Sequence, residues 1–134
     1  MLKALTKHIA NETTLVLDRD LFAGHCHVDG QDTAVIVIES GGVGDFYLTD
    51  KVEKTFQVIS RARDYHVARD NAQTVYDALH GAAGEALPVI DGGTAWYANA
   101  IEAIALPQSL GQDDRGLFVI STNFVVRAQH SEEG

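Results

Sequence analysis

The chain has 134 residues, 46% hydrophobic and 22% charged, with a net charge of −9 from 10 Lys+Arg against 19 Asp+Glu. That is one ordinary domain, expected over residues 1–134, long enough to bury about two thirds of its unfolded surface and too apolar for global disorder. The longest apolar run, Ala34–Ile38, is far shorter than the roughly 20 residues of a membrane span; no apolar leader follows Lys3 and Lys7; and the acidity leaves no basic face for nucleic acid. Neither a membrane nor sequence-specific nucleic acid is therefore expected among the partners, and the cytoplasm of the producing cell is the expected compartment.

The acidity is uneven. Eight acids and only two bases, Arg19 and Lys51, fall between Asp18 and Glu53. Such a surface serves solubility or a tuned contact. A single cysteine, Cys26, allows no internal disulfide, so the fold rests on its core.

In chain order, Met1–Asn11 is expected to be a short helix, because Leu2, Leu5 and Ile9 fall on one face. Leu15–Leu17 begins an extended segment or a turn, and Gly24 and Asp29-Gly30 punctuate a loop-rich stretch. Within it, His25-Cys26-His27 invites a metal reading. In an extended chain the two histidines point away from the cysteine, and no second cysteine or His-Glu-x-x-His pattern completes a site. No metal or cofactor is expected.

Thr33–Glu39 is apolar on both faces and β-branched, which predicts a central strand ended by Gly41-Gly42-Val43-Gly44. The glycines lack the Lys-Ser/Thr of a phosphate loop and are expected to be a flexible turn. Asp45–Lys54 then forms a polar connection carrying Phe46, Tyr47 and Leu48, which either fold onto the core or meet a partner. Thr55–Arg63 alternates as a half-buried strand, with Phe56, Val58, Ser60 and Ala62 on one face and Gln57, Ile59, Arg61 and Arg63 on the other.

Asp64 is a plausible N-cap for a helix over Tyr65–His80, whose Tyr65, Ala68, Ala72, Val75, Tyr76 and Leu79 form one stripe. Gly81 stands where the chain leaves a helix, and a protonated His80 would suit the helix dipole. Gly81–Glu85 is expected as a loop, Leu87–Ile90 as a short strand and Asp91-Gly92-Gly93 as a hairpin turn. Thr94–Leu106 is rich in alanine yet follows a tight turn, carries Trp96 and Tyr97, and stops at Pro107, so a strand is expected. Gln108–Gly116 is a polar loop. Leu117–Ala128 is a strand with Phe118, Ile120, Thr122, Phe124 and Val126 on one face, and residues 130–134 are a frayed acidic tail.

These elements predict an α+β domain. Its mixed or antiparallel sheet has about four to five strands, with a long helix packed on one face and a short N-terminal helix. No nucleophile elbow, catalytic pair or metal spacing is visible, so the residues specify no chemistry and no catalytic residue.

One stretch narrows the function. Phe56–Gly81 reads FQVISRARDYHVARDNAQTVYDALHG. It resembles the tail-terminator and tail-completion proteins of long-tailed bacteriophages, a group also labelled minor capsid proteins. The features are a strand of the form F-x-V-x-x-R-x-R (Phe56, Val58, Arg61, Arg63), alanines at 68 and 72, and an ending of Val75, Tyr76, Leu79, His80 and Gly81. A later Pro107, Gly111 and Asp113, then Phe118, Asn123 and Phe124, continue the pattern. The resemblance implies a non-enzymatic virion protein, assembled in the host cytoplasm at the head-tail interface. It implies a homo-oligomeric ring, typically a hexamer, that stacks on the tail tube protein, stops its polymerisation and meets the head connector protein. It implies no cofactor. Candidate subunit or tube contacts are Phe46, Tyr47 and Leu48 in the connection and Arg61 and Arg63 on the strand. Other readings are a head-closure or connector adaptor, or a small ligand-binding domain or enzyme with Trp96 and Tyr97 in a pocket.

Overall fold

The computed structural model describes residues 1–26, 31–44, 51–90 and 95–130. Its elements are α1 (Leu2–Glu12), β1 (Leu21–Ala23), β2 (Ala34–Gly44), β3 (Lys51–Ala62), α2 (Tyr65–Leu79), β4 (Ala83–Ala86), β5 (Trp96–Ala103), β6 (Gln108–Gln112) and β7 (Phe118–His130). The class is α+β, as expected. The sheet is larger than expected, with seven strands among the described residues rather than four to five, and the helices are modest at 11 and 15 residues. The molecule is therefore mostly sheet, and neither helix is long by ordinary standards.

The strand order is β1-β2-β3-β7-β5-β4, with β6 also beside β7. β1 runs parallel to β2 and every other pair is antiparallel, so the sheet is mixed. The three middle strands carry it. β3 pairs with β7 through twelve consecutive positions, from Lys51↔Gln129 to Ala62↔Phe118.

The alternation seen in the sequence of β3 has a physical counterpart. Phe56, Val58, Ser60 and Ala62 are buried, while Gln57, Ile59 and Arg61 are half-buried. On β7 the same face buries Ile120, Thr122, Phe124, Val126 and Ala128. Both helices supply this face. Leu5 and Ile9 of α1 and Val75 and Leu79 of α2 join Val35, Val37, Phe56, Val58, Phe124 and Val126 in one cluster. Ala68 and Ala72 of α2 let its first half approach Ala62 and Ile120 closely. Ser60 there donates to the Ala68 carbonyl at 2.8 Å, which satisfies a hydroxyl that burial would otherwise penalise.

α2 starts as expected. The Asp64 carboxylate accepts the His66 N–H at 2.8 Å. It ends at Leu79, and Gly81 takes φ +83, a left-handed conformation that glycine adopts without a Cβ penalty. His80 follows the helix end and turns to β5 and back to α2. Its Nδ1 accepts the Ala103 N–H at 3.1 Å, and its ring stacks on Tyr76.

Several boundaries differ from expectation. β2 does not stop at the glycines: Gly41–Gly44 continue it, opposite Thr55–Val52 of β3, after a bulge at Glu39/Gly41. Lys51–Lys54 belong to β3 rather than to a connection. β2 is also one strand in from the margin rather than central. The short β1, absent from the expected elements, covers it over Val35–Val37. β2 is apolar on both faces because Val35 and Val37 meet the helices on one, while Ala34 and Ile36 pack with Phe22 and Cys26 on the other. Ala83–Ala86 and Gln108–Gln112 are strands where loops were expected, and Leu87–Ile90 is not a strand. His130 ends β7 opposite Trp96, and the rest of the expected tail, residues 131–134, lies outside the described residues.

Candidate assembly surfaces

The two arginines singled out in the sequence sit at one end of β3. Arg61 lies on the face away from the helices, and Arg63 follows the last strand residue. Both turn to the segment that leads into β2. Arg61 Nη2 donates to the Gln31 carbonyl at 3.2 Å, and its buried Nε has no hydrogen-bond partner. Arg63 Nε donates to Asp32 Oδ2 at 2.5 Å, and Arg115 Nη2 donates to Asp32 Oδ1 at 2.8 Å.

One carboxylate thus ties three distant parts of the chain together: the entry to β2, the exit of β3 and the turn before β7. The hydrogen bond from Arg63 is the main reason the Asp32 carboxyl is held below the usual aspartate range. Slight desolvation opposes it, and the fields of Arg63, Arg115 and Arg61 add to it. The Arg115 turn is itself built locally. Asp113 Oδ1 accepts the N–H groups of Arg115 and Leu117 at 2.9 and 3.0 Å, and Gly116 takes φ +80. The intramolecular partner of Arg63 is therefore Asp32, 31 positions upstream, and neither Asp64 nor Asp70. Phe46, Tyr47 and Leu48, the other candidate contacts, lie outside the described residues, as do His27 and the Asp91-Gly92-Gly93 turn.

A second surface was not visible in the sequence. β5 and β6 both pair with the same margin of β7, because β3 occupies the other margin along the whole length. They form one broken strand. Ala103 faces Phe124, the Ile104 N–H donates to the Asn123 carbonyl at 2.8 Å, and pairing resumes only at Gln108↔Ser121. Residues 105–107 stand opposite the single residue Thr122, two in excess, and bulge out of the sheet. The bulge is held from α2, where Arg69 Nη1 donates to the Pro107 carbonyl at 3.0 Å. Pro107 is buried, whereas Ile104 and Leu106 are 61% and 68% exposed.

β6 is exposed at every residue, including Leu110 at 57%, and a further bulge at Gly111 (φ +86) precedes Gln112↔Phe118. Pro107, Gly111 and Asp113, quoted above for their resemblance, thus anchor the bulge, release the strand and close the turn. The sequence signal for this surface is a set of large apolar residues, Ile104, Leu106 and Leu110, in a stretch too polar to be core.

Elsewhere a groove of about 480 Å³ is lined by Lys3, Thr6, Leu17, Asp18, Ala23, His25 and Ile90. Among the described residues no group of three His, Cys, Asp or Glu side chains could hold a metal, and no helix is long and apolar enough to cross a membrane.

The sequence model of the bacteriophage tail terminator protein family matches residues 8–130. The chain belongs to this family. It is thus a structural protein of the phage virion. No curated protein sequence matches. Among solved structures, a chain in the virion of the native gene transfer agent particle is similar, with a TM-score of 0.59 at 16% identity over 83% of this chain and 79% of that one. At that identity the likeness is one of fold. The family match covers α2 and all seven strands, including the bulged β5–β6 margin.

Proposed function

We propose that this tail terminator assembles as a ring, a hexamer in the reading that its sequence resemblance suggests, on the end of the tail tube. There it halts tube polymerisation and offers its far face to the head connector. The protein is not an enzyme in this reading, needs no cofactor and is assembled in the host cytoplasm. The observation that carries the proposal is the family match across residues 8–130.

Physical features support it. A ring subunit needs two different faces for its neighbours and two more for the structures above and below. This chain devotes its interior to one sheet-and-helix core and leaves Ile104, Leu106 and Leu110 in solvent. In the proposal Phe46, Tyr47 and Leu48 meet the tube or a neighbour. Arg61 holds the end of β3 to the Gln31 carbonyl and Arg63 holds it to Asp32, while both keep donors available for a partner's acids.

The test is loss of the protein during particle production, with tails viewed by electron microscopy. Tails of uncontrolled length that fail to join heads are expected. Tails of normal length that stay unjoined would point to a head-closure adaptor, and normal joined particles would end the proposal.

A further inference from the structure

The sheet has a step at one margin. Passing outward from β7, the next row holds β5 and then β6, but the row after it holds only β4, alongside β5. Beside β6, in line with β4, no further strand is paired among the described residues, and of that edge the Gly111 N–H is taken locally by Ser109 Oγ at 3.3 Å. β4 has an outer edge of its own, and it too is exposed at every residue.

The two edges differ in a complementary way. β6 and the bulge before it are bulky and apolar, with Ile104, Leu106 and Leu110 outward. β4 is Ala83-Gly84-Glu85-Ala86, short side chains flanked by the exposed Val89 and Tyr97. Both edges are also nearly free of charge. β6 holds none, and β4 holds one acid. In a chain of net charge −9, these are places where a second copy can approach without meeting a row of like charges. Proteins that must stay apart place lysine, proline or other charges on such edges. Here the edges carry lighter devices, a positive-φ glycine in each (Gly84 and Gly111), the bulge at Ser109/Gln112 and Pro107 just before β6, which limit the usable length to a few residues.

We propose that the β6 edge of one copy takes the β4 edge of the next, joining their sheets by strand addition, with Leu106 and Leu110 covering Ala83 and Ala86. The occupant is a second copy of this chain because the same molecule carries both halves of the match. A contact between two different patches propagates from copy to copy and closes into a ring when its rotation allows. This inference rests on the ring reading above and names its contact.

The experiment uses two variants, Leu110→Lys on β6 and Ala86→Lys on β4, both at exposed positions, with folding checked by circular dichroism. Association is followed by sedimentation over a range of concentrations. Wild-type protein should associate beyond the 14.5 kDa monomer, and each variant alone should stay at that mass. Mixed, the variants should stop at one-to-one dimers, since Leu110→Lys keeps an intact β4 and Ala86→Lys an intact β6. Val16→Lys, beside β1 at the opposite margin, should behave as wild type.

Variants that associate like wild type overturn the contact while leaving the ring standing. Variants that stay monomeric even when mixed overturn the β6-to-β4 pairing in favour of a different partner. Wild type that remains monomeric at millimolar concentration overturns self-association through these edges. Tail termination is then still judged separately, by tail length in particles.

Discussion

β7 is bordered on one side by β3 and on the other by β5 and β6, and the two margins follow different rules. Along β3 the register runs for twelve positions without a break, and from Phe56 to Ala62 every second side chain of β3 is buried. Along β5 and β6 the register breaks three times, at Ala98/Ala100, between Ala103 and Gln108, and at Ser109/Gln112. There the side chains that leave the sheet are large and apolar. A one-residue slip along β3 would send Phe56 and Val58 to the outer face, so burial fixes that register. The other margin tolerates irregularity because α2 braces it from outside through Arg69, and its apolar residues are free to meet something else. One strand therefore serves as the spine of the core on one side and as the base of the proposed contact surface on the other.

Substitutions can break this contrast or sharpen it. The largest effect is expected at the regular margin. Phe124→Ala removes a fully buried ring opposite Phe56 and should lower unfolding free energy by about 3–5 kcal/mol in chemical denaturation. A cost as small as that of a surface change would mean the spine is not the core.

Next comes the brace. Asp64→Ala deletes the cap of α2 and should cost about 1 kcal/mol by the same measurement, because the His66 N–H loses its acceptor. Ile104→Ser combined with Leu106→Ser should change stability by less than about 0.5 kcal/mol, since both side chains are already in water, while weakening self-association in sedimentation. A large loss of stability would instead make the bulge part of the core.

The smallest effect concerns Asp32. Its folded pKa is lowered, so its pairing with Arg63 and Arg115 stabilises the fold at pH values above the ordinary aspartate range. That contribution is lost as pH falls through the lowered folded value. A carbon-detected NMR titration should place the Asp32 midpoint below that of aspartate in a peptide, and Arg63→Ala should raise it. No movement in the variant would mean that Arg115 alone holds the carboxylate.

The sequence by itself determined those elements whose partners are local or whose pattern repeats. The burial of β3 followed from period-two alternation, the start of α2 from Asp64, its exit from Gly81, and the strand over Trp96–Ala103 from its turn, aromatics and terminating proline. The α+β class and the family resemblance both rested on these stretches. Tertiary structure decided whatever depended on a distant neighbour. Gly41–Gly44 extend β2 only because Val52–Thr55 of β3 lie opposite, and glycine has little strand preference of its own. β4 and β6 are exposed at every residue, so no burial pattern marks them. They are strands because β5 and β7 offer hydrogen bonds. The Asp32 cluster joins residues 31 and 83 positions apart, and Ile104, Leu106 and Leu110 form an outward surface only because the chain bulges where Arg69 grips Pro107. Periodicity records which face of an element meets the core, whereas the partner across a long loop is set by packing and leaves no local trace.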